Sequence, residues 1–235
     1  MCMMDTENRI RGNNFFYRGD YRQAIEALSL VLASEPDDAT VLSNRGAAYA
    51  ALGEYELAIA DYNRAIELGP NEAAAYNNRG LACAAQGDYQ SALNDYARAI
   101  ELDPLNAVAF HNRGAVCSAQ GDFECALAAY DRAIVLDPQY AEAYYARGLL
   151  HAMRGDNEQA LADYDSALNL NAKLAPAYYD RGIARGLKGD YRRALADLEA
   201  YLALAPRASN REQVEAVVSK LKRQSTAPRR RDQEV

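Results

Sequence analysis

The sequence predicts an all-α fold, a solenoid of antiparallel helix pairs repeated along one chain. Three observations carry this. Small residues and proline return at a constant interval of 34 residues. Between those markers the apolar residues fall at helical spacing. Each predicted helix ends at a glycine or proline that cannot easily continue it.

The interval is read most easily from glycine. One series is Gly12, Gly46, Gly80, Gly114, Gly148 and Gly182; a second is Gly19, Gly53, Gly87, Gly121, Gly155 and Gly189. Ala24, Ala58, Ala92, Ala126, Ala160 and Ala194 keep the same step, as do Pro36, Pro70, Pro104, Pro138 and Pro206, with Ala172 at the one gap. Six units follow: 5–38, 39–72, 73–106, 107–140, 141–174 and 175–208.

One unit shows the local physics. From Ala107 to Gln120, Phe110, Ala115 and Val116 lie at helical spacing, and Gly121-Asp122 then breaks the run. A second helix from Phe123 to Leu136 places Phe123, Leu127, Tyr130 and Ile134 on one face, and Pro138 stops it. Gly114 and Ala126 are expected where the paired helices approach closely, since larger side chains there would cost about 1–3 kcal/mol. A single such pair cannot bury its own apolar stripe, so neighbouring pairs must stack.

The ends differ from the middle. In the first unit Asn8 stands where later units have an aromatic or Leu, as terminal repeats often do. Residues 209–223 read as a capping helix, with Ser209 and Glu212 at capping-box spacing and Val214, Val217, Val218 and Leu221 as its covering stripe. Residues 224–235 read as a short polar disordered tail, so one solenoid domain spans 1–223.

A 34-residue period with an aromatic or Leu at place 4, Gly at 8 and 15, Ala at 20 and Pro at 32 resembles the tetratricopeptide repeat family over about residues 5–208. The resemblance implies a right-handed superhelix whose first helices line a concave groove. It also implies a non-enzymatic scaffold or adaptor that binds an extended or helical protein segment. Place 6 faces that groove in the family and holds Asn44, Asn78 and Asn112 here, then Ala146 and Asp180. These three amides are similar to the asparagine ladder of the O-linked N-acetylglucosamine transferase repeats, which holds a peptide backbone. Place 5 carries Ser43, Asn77, His111, Tyr145 and Tyr179. Together with Leu149 and Met153 the two tyrosines give the later repeats a more apolar groove wall. Glu142 and Asp180 make that end acidic and suit a ligand with a basic residue. The family's chaperone-binding branch needs cations at places 2, 5 and 6. Thr40, Ser43 and Asn44 and their equivalents supply none.

Other patterns have structural readings. Place 7 is Arg11, Arg45, Arg79, Arg113, Arg147 and Arg181, and place 23 is Asp61, Asp95, Asp163 and Asp197, with Ala129 as the exception. Pairs between the two helices are expected, worth about 0–1 kcal/mol each if exposed. Cys83, Cys117 and His151 share place 11, but successive repeats hold them too far apart for a disulfide or a zinc ion. Cys2, Cys83, Cys117 and Cys125 are read as free thiols of a reducing, cytoplasmic compartment.

Composition excludes several classes. The net charge is −7; residues 205–235 hold eight Lys/Arg and four Asp/Glu, leaving −11 on the rest. An acidic body repels nucleic-acid phosphates. No apolar run suggests membrane insertion, and no phosphate loop, nucleophile elbow or metal-ligand motif suggests catalysis, a cofactor or a metal. Two other readings stay open: a self-associating structural module, and a regulatory part of a larger enzyme.

Overall fold

A computed structural model describes residues 3–226. Its helices are α1 (Met3–Arg18), α2 (Tyr21–Ser34), α3 (Ala39–Ala51), α4 (Tyr55–Leu68), α5 (Ala73–Ala85), α6 (Tyr89–Leu102), α7 (Ala107–Ala119), α8 (Phe123–Leu136), α9 (Ala141–Arg154), α10 (Asn157–Leu170), α11 (Ala175–Leu187), α12 (Tyr191–Leu204) and α13 (Arg211–Thr226). No strand occurs among the described residues. The chain divides into two compact units, Met1–Leu136 and Asp137–Val235. The first holds four helix pairs, α1–α2 through α7–α8. The second holds α9–α10, α11–α12 and the capping helix α13. Within each unit a second helix also packs on the next first helix, and consecutive first helices touch, as α3 does α5 and α9 does α11.

The two glycine series do different work. Gly53 and its equivalents end the first helix with φ near +80°, a conformation that strains any residue bearing a Cβ. The other series makes room inside the pair. A Cβ at Gly114 would come within 2.8 Å of the Tyr130 ring, and one at Gly80 equally close to Tyr96. The close contact of Gly114 is therefore with the aromatic at place 24 rather than with Ala126, which is nonetheless fully buried. Tyr62, Tyr96, Tyr130 and Tyr164 fill the centres of their pairs among buried alanines. Second helices start on Asp88, Asp122 and Asp190, whose carboxylates accept from the backbone N–H three residues on. Asp156 makes no such cap.

The C-terminal cap departs from expectation in three details. It begins at Arg211 rather than beside Ser209, because Ser209 and Asn210 form a turn pinned to α12. There the Tyr201 hydroxyl donates to Asn210 Oδ1 at 2.6 Å. It runs on to Thr226, since no proline interrupts it before Pro228, so 224–226 are helical rather than disordered. Residues 227–235 of the expected tail, like Cys2, lie outside the described residues. Val214, Val218 and Leu221 cover the core of the last repeat, whereas Val217 falls off that face and is 37% exposed.

The cysteine reading needs a larger correction. Cys117 is disulfide-bonded to Cys125, with Cα atoms 5.8 Å apart. The line of equivalent places along the stack was the wrong comparison. The α7–α8 hairpin folds place 11 of the first helix against place 19 of the second, across the turn at Gly121. Cys83 is a buried free thiol.

Candidate functional site

The arginine row is architectural. Arg45 grips Asp61 through two nitrogens at 2.8 and 2.7 Å, and Arg79 grips Asp95 at 2.9 and 2.6 Å. Arg147 with Asp163 and Arg181 with Asp197 repeat the geometry. The third nitrogen reaches back to the preceding repeat, where Arg45 meets Ser29, Arg79 meets Asn63 and Arg181 meets Asp165. These four arginines thus tie their own hairpins shut, and Arg45, Arg79 and Arg181 also set the register with the preceding repeat. The place-23 carboxylates are buried, so these are not the weak exposed pairs expected from the sequence. Hydrogen bonds to Asp61 hold the Arg45 guanidinium above its ordinary range against the opposing effect of burial.

The candidate ligand-binding residues separate into two groups, one in each unit. In the first unit α3, α4 and α5 enclose a furrow of about 340 Å³ lined by Thr40, Ser43, Asn44 and Asn78 with small alanines between them. A smaller furrow beside it shares Asn44 and Ala47 and adds Asn13 and Tyr17. Asn44 donates to Asn13 Oδ1 at 3.1 Å. Asn112 donates to Asn77 Oδ1 at 3.0 Å, which links α7 to α5. Asn77 is 8% exposed and so sits beneath the face rather than on it. His111 packs against the Tyr130 ring at 5.5 Å. The asparagines therefore form two hydrogen-bonded groups, Asn13 with Asn44 and Asn112 with Asn77, which itself donates to Asn78 at 3.4 Å. Asn44 and Asn78 line one furrow, and Asn112 is engaged with its neighbour. Asn13 had no signal in the repeat pattern, since it stands at place 9, where the next repeats carry Ala47, Leu81 and Ala115.

In the second unit Tyr145 donates to Asp180 Oδ2 at 2.7 Å, joining α9 to α11. Burial raises the Asp180 pKa, partly offset by the hydrogen bond from Tyr145. Burial foremost, then the same bond, pushes the Tyr145 phenol upward. Tyr179 packs against the Tyr201 ring at a tilt, centroids 5.2 Å apart, and belongs to the core under α13. Leu149 is half-buried and Met153 is 66% exposed. Among the described residues no group of His, Cys, Asp and Glu is placed to hold a metal ion. No helix there is long and apolar enough to cross a membrane.

Profiles described as tetratricopeptide repeat or TPR repeat match residues 11–73, 73–106, 116–155 and 152–219. The chain belongs to the tetratricopeptide repeat family. Its fold class is accordingly the all-α tetratricopeptide-repeat solenoid, and repeats of this family build protein-interaction scaffolds. Solved structures agree. The MamA protein is 28% identical, with a TM-score of 0.62 over 75% of this chain and 96% of that one. PilW, described as a widely conserved type IV pilus biogenesis factor, is 20% identical with a TM-score of 0.80 over 92% of this chain and 100% of that one. YrrB, described as a TPR protein with an unusual peptide-binding site, is 24% identical with a TM-score of 0.59, covering 82% and 100%. No curated protein shows significant similarity to the chain.

Proposed function

We propose that this tetratricopeptide-repeat protein is a non-enzymatic scaffold or adaptor that docks a protein or peptide segment on the face built from its first helices. The observation that carries this is the polar furrow between α3 and α5. Its walls present the amides of Asn44 and Asn78 and the hydroxyls of Thr40 and Ser43. Such groups both donate and accept, so they suit the alternating N–H and C=O groups of an extended backbone, largely regardless of its sequence. In the second unit Tyr145, Leu149 and Met153 supply apolar contact, while Tyr179 stays in the core under α13. Asp180 serves a basic ligand side chain, because a carboxylate has lone pairs beyond the one that Tyr145 occupies.

The test is affinity capture from a lysate, comparing the natural chain with Asn44→Ala, Asn78→Ala and Asn112→Ala combined. Each amide is worth about 0.5–1.5 kcal/mol, so the three together should weaken partner capture by about tenfold or more at unchanged helicity. Undiminished recovery of the same partners would remove these residues from the mechanism.

A further inference from the structure

The first helices change character along the chain, and packing explains only part of it: Ile183 and Leu221 belong to the core under α13, while Leu187 and Met153 are exposed. Place 9 carries Ala47, Leu81 and Ala115 in α3, α5 and α7, but Leu149, Ile183 and Val217 in α9, α11 and α13. Place 13 carries Ala51, Ala85 and Ala119, then Met153, Leu187 and Leu221. Place 14 is Leu52, Gln86 and Gln120, then Arg154, Lys188 and Lys222. Large apolar residues, followed by a row of cations, thus replace places that in α3, α5 and α7 are alanine everywhere except Leu81.

In the second unit these residues build a furrow of about 330 Å³ between α11 and α13. Its walls are Ile183, Leu187, Tyr191, Val217, Leu221 and Lys220, with Gly182 and Gly186 between them. Leu187 is 79% exposed, and Met153 on α9 is 66% exposed. Neither is needed for the core of its repeat. Large apolar side chains in water, gathered beside a concavity, mark an interaction surface.

The chemistry of the walls selects the shape of the occupant. Among the furrow's wall side chains only the Tyr191 hydroxyl and the Lys220 ammonium can hydrogen-bond, whereas the one between α3 and α5 presents two amides and two hydroxyls. An extended peptide would bury its backbone there unsatisfied. A helix satisfies its own backbone and presents only side chains. Ile183 and Leu187, like Val217 and Leu221, stand four residues apart and match the knobs of a facing helix. Charge selects the rest. Lys220 lines the furrow, and Lys188 and Lys222, next in sequence to its Leu187 and Leu221, stand in exposed ion pairs to Glu158 and Glu199 at 3.3 and 2.8 Å. Such pairs are weak and exchange readily for a ligand's carboxylates. The chain's own Arg229–Arg231 carries the same sign as this rim and is a poor match.

We propose that the α11–α13 furrow docks an amphipathic helix of a partner protein whose apolar stripe is edged by Asp or Glu. This rests on the protein-binding reading above and names the partner's chemistry. Full-length chain would be used to select from a phage-displayed library of helical peptides, with enriched clones then measured as fluorescent peptides by anisotropy. Enrichment of Leu, Ile or Phe at i, i+4 and i+7 beside acidic residues is expected. Leu187→Ser should weaken binding about tenfold or more, and Lys188→Glu with Lys220→Glu should do likewise. Both sites are exposed, and circular dichroism checks the fold. Asn44→Ala with Asn78→Ala should leave these peptides bound, which separates a failure here from a failure of the asparagine furrow. Extended or basic clones, no enrichment, or equal binding to Leu187→Ser would overturn the proposal. So would a dimer, seen by sedimentation, that Leu187→Ser disperses, because the occupant would then be a second copy.

Discussion

The hairpins α5–α6 and α7–α8 are successive copies of one design, yet different polar devices hold them closed. In the first, Arg79 grips the buried Asp95 and reaches Asn63. In the second, Ala129 stands at the place of Asp95 and Ala97 at the place of Asn63. Arg113 has no carboxylate partner among the described residues, and the Cys117–Cys125 disulfide links the two helices instead. The glycine-to-tyrosine fit is the same in both: a Cβ added at Gly80 or Gly114 would meet the Cε1 of Tyr96 or Tyr130 at 2.8 Å. The apolar fit therefore sets the geometry of the pair, while the polar or covalent link is an interchangeable fastening. Cys83 illustrates how near the two solutions are. It occupies the place of Cys117, and the place of Cys125 is filled by Ser91.

This contrast can be broken from either side. The largest effect is expected from Asp95→Ala, which gives α5–α6 the alanine that α7–α8 already has, but no disulfide. Arg79 would be left half-buried and uncompensated, at a cost of about 3–5 kcal/mol, read as a lower midpoint in urea. A loss under about 1 kcal/mol would show that the pair is not the fastening claimed. A smaller effect is expected from Cys125→Ser. The bond closes a loop with a sequence separation of 8; opening a loop of that size costs about 2–3 kcal/mol. Adding reductant to the natural chain should reproduce this shift and leave the variant unchanged. An intact-mass measurement showing Cys117 and Cys125 free in oxidised protein would undo that half of the comparison.

The smallest difference at neutral pH is in the shared tyrosines. Burial pushes the Tyr130 phenol up to about 12 from an ordinary 10.0, and Tyr96 rises further for the same leading reason. A raised phenol favours its neutral form in the folded chain. Its contribution is therefore complete below about pH 10 and is lost as pH climbs through about 12. Tyrosinate absorbance at alkaline pH should show exposed phenols titrating first, and the buried set ionising together with the loss of helix. Buried phenols titrating near pH 10 with helicity intact would contradict the packing described.

Much of the fold is local and was legible along the chain. Helices, turns and their 34-residue register follow from side-chain periodicity, from glycines that must adopt positive φ, and from prolines that cannot donate. The Arg–Asp pairing could also be foreseen, because the two residue types recur at fixed places and Ala129 breaks only one of them. The candidate site was legible only as a set of places. Nothing along the chain placed Asn77 beneath the surface or gave Asn44 a partner in Asn13. Nor did it turn Val217 away from the stripe that Val214, Val218 and Leu221 form. Those outcomes depend on the exact angle at which one helix meets the next.

The sequence by itself determined that this protein is built of helix pairs, where each pair begins and ends, and which residues share a face. It could do so because backbone preference and amphipathic period act over a few residues. Only the tertiary structure decided which equivalent places meet. The α7–α8 turn brought Cys117 to Cys125, the α9–α11 approach joined Tyr145 to Asp180, and the seating of α13 opened an apolar furrow beside Leu187. Each of these is a distance between segments that the one-dimensional order of residues leaves free until the chain is packed.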